Sequence, residues 1–276
     1  MLGGPGGGAP PGTLGPVPEL PEVESYRRLA DGAVGRTVDR VTTPDAWYLK
    51  HGTTGAALRR ALVGRRLVGT RRIGKLLLLD VDSGAVVGVR FGMTGTLLVD
   101  GTPGVAGLQY SPRRHDPGWE RFRVRFEDGG TLTIQDPRRL GGVVLDPTLD
   151  HLGPDALTVT RPELAAALAG SPAPLKARLL DQSNVAGIGN LIADELLWRA
   201  GLSPLRPSGS LMPADVRRLH RHLGGVLADL EARGGSHLGD LMEERRTGGR
   251  CPRDGTELRR STVGGRTSWW CPKHQG

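Results

Sequence analysis

Several stretches of this 276-residue chain place side chains of suitable type at a spacing that chemistry can use. Pro18 and Glu19 open Pro-Glu-Leu-Pro-Glu-Val-Glu24, which reads locally as a helix start, with proline at its first position and acids in its first turn. Lys75 begins the apolar run Lys75-Leu-Leu-Leu-Leu and offers a cation at a strand edge. Met93 stands inside Phe91-Gly-Met-Thr-Gly95, where a tight glycine-flanked turn is a poor core position and a good place to present a wedge. Gly187-Ile-Gly189-Asn190 reads as a glycine turn with an Asn N-cap, and the outward N–H groups of such a helix end bind phosphate. Cys251, Asp254, Cys271 and His274 follow one another at x2, x16 and x2, and all four types bind metal.

The elements that must hold these residues are legible in the apolar periodicity. From Glu19 onward Leu20, Val23, Tyr26 and Leu29 recur at spacing three, with acids in front and arginines behind, until Gly32 or Gly35 stops the helix. A second amphipathic helix is expected around Gly55 to Leu62. The period then falls towards two: strands are expected from Lys75, from Ala85 to Phe91, from Arg121 to Phe126 and from Thr131 to Gln135. The turns Asp82-Ser83-Gly84 and Asp128-Gly129-Gly130 separate them, and such short spacing suggests a sandwich or barrel. Beyond Pro147 the spacing is helical over Pro162–Leu168, Leu175–Asp181, Leu191–Ala200 and Pro213–Ala232, the last with a core stripe of Val216, Leu219, Leu223, Val226 and Leu230. After Gly234-Gly235 the chain is irregular, and a paired-cysteine module closes it from Arg250.

Composition bounds the function. Lys and Arg number 37 against 29 Asp and Glu, a formal charge of +8; 33 of the 37 are Arg. A GC-rich genome explains the preference for Arg over Lys but not the net charge, and a basic surface draws in polyanions, nucleic acid among them. No apolar run approaches 18 residues, so a membrane span is excluded, and the start lacks a secretory signal. Two cysteines make no disulfide framework. A soluble intracellular protein is expected.

Five motifs in fixed order make the reading specific. Pro18 to Glu24, Gly74-Lys75-Leu-Leu-Leu-Leu, Phe91 to Gly95, Asp136-Pro-Arg138-Arg139-Leu140-Gly141 and Asn184 to Asn190 together resemble the formamidopyrimidine-DNA glycosylase / endonuclease VIII family of base-excision repair enzymes. The resemblance runs from Pro18 almost to the end. It implies an α+β fold: an N-terminal β-sandwich with flanking helices over residues 18–147, a helical helix-two-turn-helix domain over 148–248, and a C-terminal zinc-finger-like β-hairpin over 249–276. It implies a bifunctional glycosylase and abasic-site lyase for formamidopyrimidines and oxidised purines in damaged double-stranded DNA, monomeric, without membrane contact, in the bacterial cytoplasm and on the nucleoid when bound.

Within that resemblance Pro18 is the amine that attacks C1′ of the sugar, and an α-amino group titrating near 8 is a good nucleophile at neutral pH. Glu19 is the general acid/base for the ring oxygen and the elimination. Lys75 holds the phosphate beside the lesion and supports elimination. Met93, Arg138 and Leu140 fill the gap left by the extruded base, which must leave the stack to react. Lys176 reaches the DNA or the damaged base, Asn190 belongs to the phosphate-binding helix end, and Arg266 grips phosphate from the finger's tip.

Three departures from the family pattern qualify this. Leu140 stands where Phe is usual; an aliphatic wedge still holds a kink but gives up stacking on the opposite base. Asp254 and His274 replace the second and fourth cysteines of the usual all-cysteine finger. Both remain competent ligands, so one structural zinc is expected on Cys251, Asp254, Cys271 and His274. The rivals are a metal-free hairpin packed by Trp269 and Trp270, or a Cys251–Cys271 disulfide, which an intracellular compartment disfavours. Between Gly239 and Cys251 only 11 residues remain where the 8-oxoguanine enzyme carries a long loop over the flipped base, so specificity is expected to be broader or shifted. An endonuclease VIII-like preference for oxidised pyrimidines, or a catalytically silent DNA-binding protein, are the alternative readings.

The chain start matters most. A proline within a peptide has no free amine. Val17 is what a GTG codon reads as inside a gene, yet bacteria also initiate at GTG with methionine and remove it before a small residue. The Gly/Pro-rich residues 1–17 are therefore expected to be a mis-called extension, with a mature protein beginning at Pro18; the alternative is a genuine disordered tail.

Overall fold

The computed structural model describes residues 18–105 and 116–276; the expectation for residues 1–17 lies outside them. Helix α1 (Leu20–Ala30) is followed by β1 (Val38–Thr42), and α2 (Gly55–Leu62) starts where the Thr54 hydroxyl accepts the Ala57 N–H at 3.1 Å. Then come β2 (Leu67–Ile73), β3 (Leu76–Val81), β4 (Val86–Arg90), β5 (Thr96–Val99), β6 (Thr102–Pro103), β7 (Glu120–Phe126), β8 (Thr131–Gln135) and β9 (Gly142–Leu145). Two antiparallel sheets result, ordered β1-β7-β8-β5-β6 and β2-β3-β4-β9. Phe122, Val124 and Phe126 of β7 and Leu77 and Leu79 of β3 share one core between the sheets, while Arg123 and Arg125 face outward.

The helical part contains α3 (Arg161–Leu168), α4 (Leu175–Leu180), α5 (Asn190–Ala200) and α6 (Pro213–Arg233) around a second core of Leu175, Ile192, Leu196, Leu219 and Leu223. A hairpin of β10 (Arg259–Val263) and β11 (Arg266–Trp270) ends the chain over a small third core that includes Trp198, Cys251 and Cys271. Among the described residues no helix is long and apolar enough to cross a membrane.

Helix α1 joins the first two cores. Val23 and Tyr26 point into the sandwich, whereas Leu20 belongs to the helical core. Its first turn, with Pro18 and Glu19 just before it, is thus wedged at the seam between the two. The hairpin between β2 and β3 presses into the same seam: a Cβ on Gly74 (φ +56°) would lie 3.0 Å from the Gly187 backbone nitrogen. Lys75, the next residue, is delivered there.

Candidate functional site

At the seam Pro18 is buried and Glu19 is 2% exposed. The Glu19 carboxylate is seated on the start of α5: Oε1 accepts the Leu191 N–H at 2.9 Å and Oε2 the Ile192 N–H at 3.0 Å. These amides have no partner inside the helix, so the carboxylate satisfies them and sits at the positive end of the dipole. Gly189 precedes α5 as its N-cap, and a Cβ there would fall on the Glu19 carboxyl group. Burial raises the Glu19 pKa, against the opposing pull of Lys75 and the two amides. Lys75 donates from Nζ to the Ile188 carbonyl at 3.0 Å. Burial lowers its pKa, the Glu19 charge resists, and the nearby Arg266 guanidinium lowers it further. A carboxyl that holds its proton more tightly than usual thus faces an ammonium that holds its proton less tightly, a pair suited to proton transfer.

Glu22 fixes the turn that carries Glu19. Its Oε2 accepts the Glu19 N–H at 3.0 Å, and its Oε1 accepts the Ser236 N–H and hydroxyl at 2.6 and 2.8 Å. Burial alone would raise its pKa, but the His237 imidazole 3.9 Å away and the Ser236 donors outweigh this and lower it. The motif contained Glu22, yet its role depends on a turn more than 200 residues away and carries no local signal.

The same end of the four-stranded sheet gathers the remaining loops. Leu76 pairs with Arg90 and Arg90 with Gly142, so Lys75, the Phe91–Gly95 turn and the Arg138–Gly141 loop are neighbours. Arg138 and Leu140 are exposed, Leu140 at 48%, and Met93 is half-buried. Asp136, completely buried, ties the loops together by accepting the Thr94 hydroxyl at 2.6 Å, the Arg138 N–H at 3.2 Å and the Gly141 N–H at 2.9 Å. Gly92 (φ +58°) lies so close to the Leu140–Gly141 backbone that no side chain fits. Met93 and Leu140 are therefore presented by one braced unit. Arg90, exposed beside it with a guanidinium nitrogen 3.3 Å from His151 Nε2, is a further cation on this side that the sequence reading did not single out.

Two expectations need correction. Asn190 is the first residue of α5 and not its N-cap; Gly189 is, and two of the free amides hold Glu19 instead of standing open for phosphate. Asn190 keeps a buried Oδ1 without a hydrogen-bond partner. Lys176 is 0% exposed and does not reach the surface: its Nζ pairs with Asp194 at 2.7 Å and donates to the Thr267 carbonyl at 2.9 Å. Asp194 also accepts from Arg245, the Ser268 hydroxyl (2.8 Å) and the Trp269 N–H (3.2 Å). A buried ammonium needs such a partner. This network clamps the β10–β11 hairpin to α4 and α5, and the exposed Arg266 at its tip comes close enough to Lys75 for their charges to interact.

The four terminal side chains converge, with ligand atoms within 4.8 Å of one another. Cys251 Sγ lies 3.5 Å from His274 Nδ1, Cys271 Sγ 3.5 Å from Asp254 Oδ2, and His274 Nδ1 3.6 Å from Asp254 Oδ2. Tetrahedral zinc with bonds of about 2.0–2.3 Å sets ligand edges at about 3.3–3.8 Å. The three separations match such an ion, and neither cysteine is in a disulfide.

Comparison with known proteins agrees along the chain. A family model described as the formamidopyrimidine-DNA glycosylase N-terminal domain matches residues 17–143, and one described as the H2TH domain of the same enzyme matches 152–239. Formamidopyrimidine-DNA glycosylase of Thermus thermophilus is 36% identical over 94% of this chain and 99% of its own. That of Paracoccus denitrificans is 35% identical over 93% and 99%. Among solved structures, a Lactococcus lactis Fpg complex with abasic-site DNA matches with TM-score 0.79, 25% identity and coverage of 94% of this chain and 100% of the other. The Lactococcus lactis Fpg complex with Fapy-dG DNA matches with TM-score 0.78, 26% identity and coverage of 93% and 99%.

Proposed function

Since the chain belongs to the formamidopyrimidine-DNA glycosylase family, we propose that Pro18, Glu19 and Lys75 are the catalytic group of its reaction. The protein is a DNA glycosylase for oxidised purines with abasic-site lyase activity. The observation that carries the site reading is the Glu19 carboxyl, buried on the α5 N-terminus beside Pro18 and Lys75.

The Pro18 amine, once free and neutral, attacks C1′; the bond to the base breaks, its electron pair leaves with the base, and the base takes up the proton that the nitrogen gives up. The ring opens as Glu19 delivers its proton to the ring oxygen, leaving an iminium ion between the Pro18 nitrogen and C1′. Loss of a C2′ proton then expels the 3′ phosphate. Lys75 and Arg266 offer positive charge to the backbone phosphates, and Met93, Arg138 and Leu140 enter the space the base vacates. This reading requires a mature chain that begins at Pro18. In support, the family model opens at residue 17, and the relatives align over 99% of their own length but only 93–94% of this chain.

Cys251, Asp254, Cys271 and His274 would hold one structural zinc, which braces the hairpin carrying Arg266 and takes no part in the chemistry. The enzyme is read as a monomer acting on damaged double-stranded DNA in the bacterial cytoplasm; the charge of +8 supports attraction to a polyanion. The names of the relatives favour oxidised purines over the pyrimidine-preferring and silent readings. A panel of duplexes with single lesions tests this: protein starting at Pro18 should incise formamidopyrimidine and 8-oxoguanine strands faster than thymine glycol strands. The reverse order would contradict the substrate reading.

A further inference from the structure

One residue outside the four metal-binding side chains touches two of them. Trp198, in the last turn of α5 and 4% exposed, donates its indole N–H to Cys251 Sγ at 3.3 Å. Its main-chain carbonyl lies 3.1 Å from His274 Nε2. A carbonyl only accepts, so Nε2 is the protonated ring nitrogen and the lone pair is left on Nδ1. Nδ1 is the atom that faces Cys251 and Asp254. The indole and imidazole rings meet edge to face with centroids 6.1 Å apart, and the Arg253 guanidinium packs 4.9 Å from the indole centroid, so the Trp198 ring is held by both neighbours.

We propose that Trp198 is the positioning residue of this metal site. Its carbonyl selects Nδ1 of His274 as the ligand atom, and its indole N–H fixes Cys251 Sγ and shares its negative charge. The inference rests on the metal reading above and adds to it a residue that is not a ligand. The need is specific to this donor set. A carboxylate and an imidazole replace two thiolates, and an imidazole, unlike a thiolate, binds only through the ring nitrogen that carries no proton, so a partner that fixes its tautomer strengthens the site. Placement on α5 has a second consequence: the helix that orients the metal ligands at its last turn holds Glu19 at its first.

The test uses the full-length protein, purified with zinc, alongside Trp198→Phe, which removes the indole N–H and keeps an aromatic ring and the carbonyl. Zinc affinity is read by chelator competition, and the cobalt-substituted forms are compared through the thiolate-to-cobalt charge-transfer band. The expected result is a 10- to 100-fold weaker zinc site in W198F with a shifted band. Long-range proton–nitrogen correlation on the zinc-loaded unsubstituted protein reads the His274 tautomer without any variant, and should show the proton on Nε2. Equal affinity within two-fold together with an unmoved band overturns the role of the indole, and a proton on Nδ1 overturns the role of the carbonyl. Unsubstituted protein that takes up no metal overturns the metal reading itself, and this inference with it.

Discussion

Pro18, Glu19 and Lys75 lie at one seam because three unrelated segments converge there, and each residue is held by something the motif alone does not display. Their proposed roles are legible in the chain only through the order of the five motifs, the first two of which carry these three residues. Lys176 is not legible in the chain for the opposite reason: its partner Asp194 lies on another helix, and nothing local distinguishes a clamped lysine from one that reaches DNA. Glu22 illustrates what burial plus donors do to a carboxylate. Its pKa is lowered, so its contribution to stability is present above the ordinary glutamate value of about 4.3 and is lost as pH falls through the lower folded value. Glu22→Gln should therefore melt below the unsubstituted protein at pH 7, with the gap closing as the pH drops below about 4. A gap that stays constant from pH 7 to pH 3 would contradict the assignment.

At the scale of elements, the start of α5 and the terminal hairpin do different jobs and fail differently. Gly189→Ala puts a methyl group where the Glu19 carboxyl sits, displacing the proton donor by about 1 Å or more. Single-turnover excision should fall on the order of 100-fold while DNA affinity holds, because misplacement of a reacting group costs rate without touching phosphate contacts. Excision within a few-fold of normal would show that Glu19 acts from elsewhere. For the hairpin, Arg266→Ala should flatten the log–log salt dependence of DNA binding by about 0.9, the loss of one phosphate contact. Lys176→Met should leave that slope unchanged and lower unfolding stability by about 3–5 kcal/mol, because it breaks a buried pair. Equal flattening by both would return Lys176 to the DNA surface. Helix α6 and strand β7 were legible because one face is buried and the other exposed, whereas β8 alternates in residue type although Leu132, Thr133 and Ile134 are all buried. Strands β1, β2, β5 and β9 gave no such signal: β5 is buried along its whole length, β9 on three of its four residues, and β2 mixes Gly69 with two arginines, so no period of two survives.

Over the whole molecule, α1 is shared by the first two cores and α5 by the second and third, and the proposed catalytic group lies where Glu19, just before α1, meets the start of α5. The segment from Gly239 to Cys251 is bound down and not poised over a base: the Asp240 and Leu241 N–H groups donate to Glu195 at 3.2 and 3.0 Å, and Arg245 pairs with Asp194. In the proposed reading the flipped base then meets the seam around Pro18, Glu19 and Lys75, while the braced Met93 and Leu140 fill the gap it leaves. An iminium on the nitrogen of Pro18 would join the chemistry to the start of the working chain. The decisive measurement traps the native protein on abasic-site DNA with borohydride, digests it, and weighs the DNA-linked peptide. That peptide should begin at Pro18 and carry the modification on that residue's own nitrogen. A linked peptide that contains Val17, or a modification carried by Lys75, would contradict it.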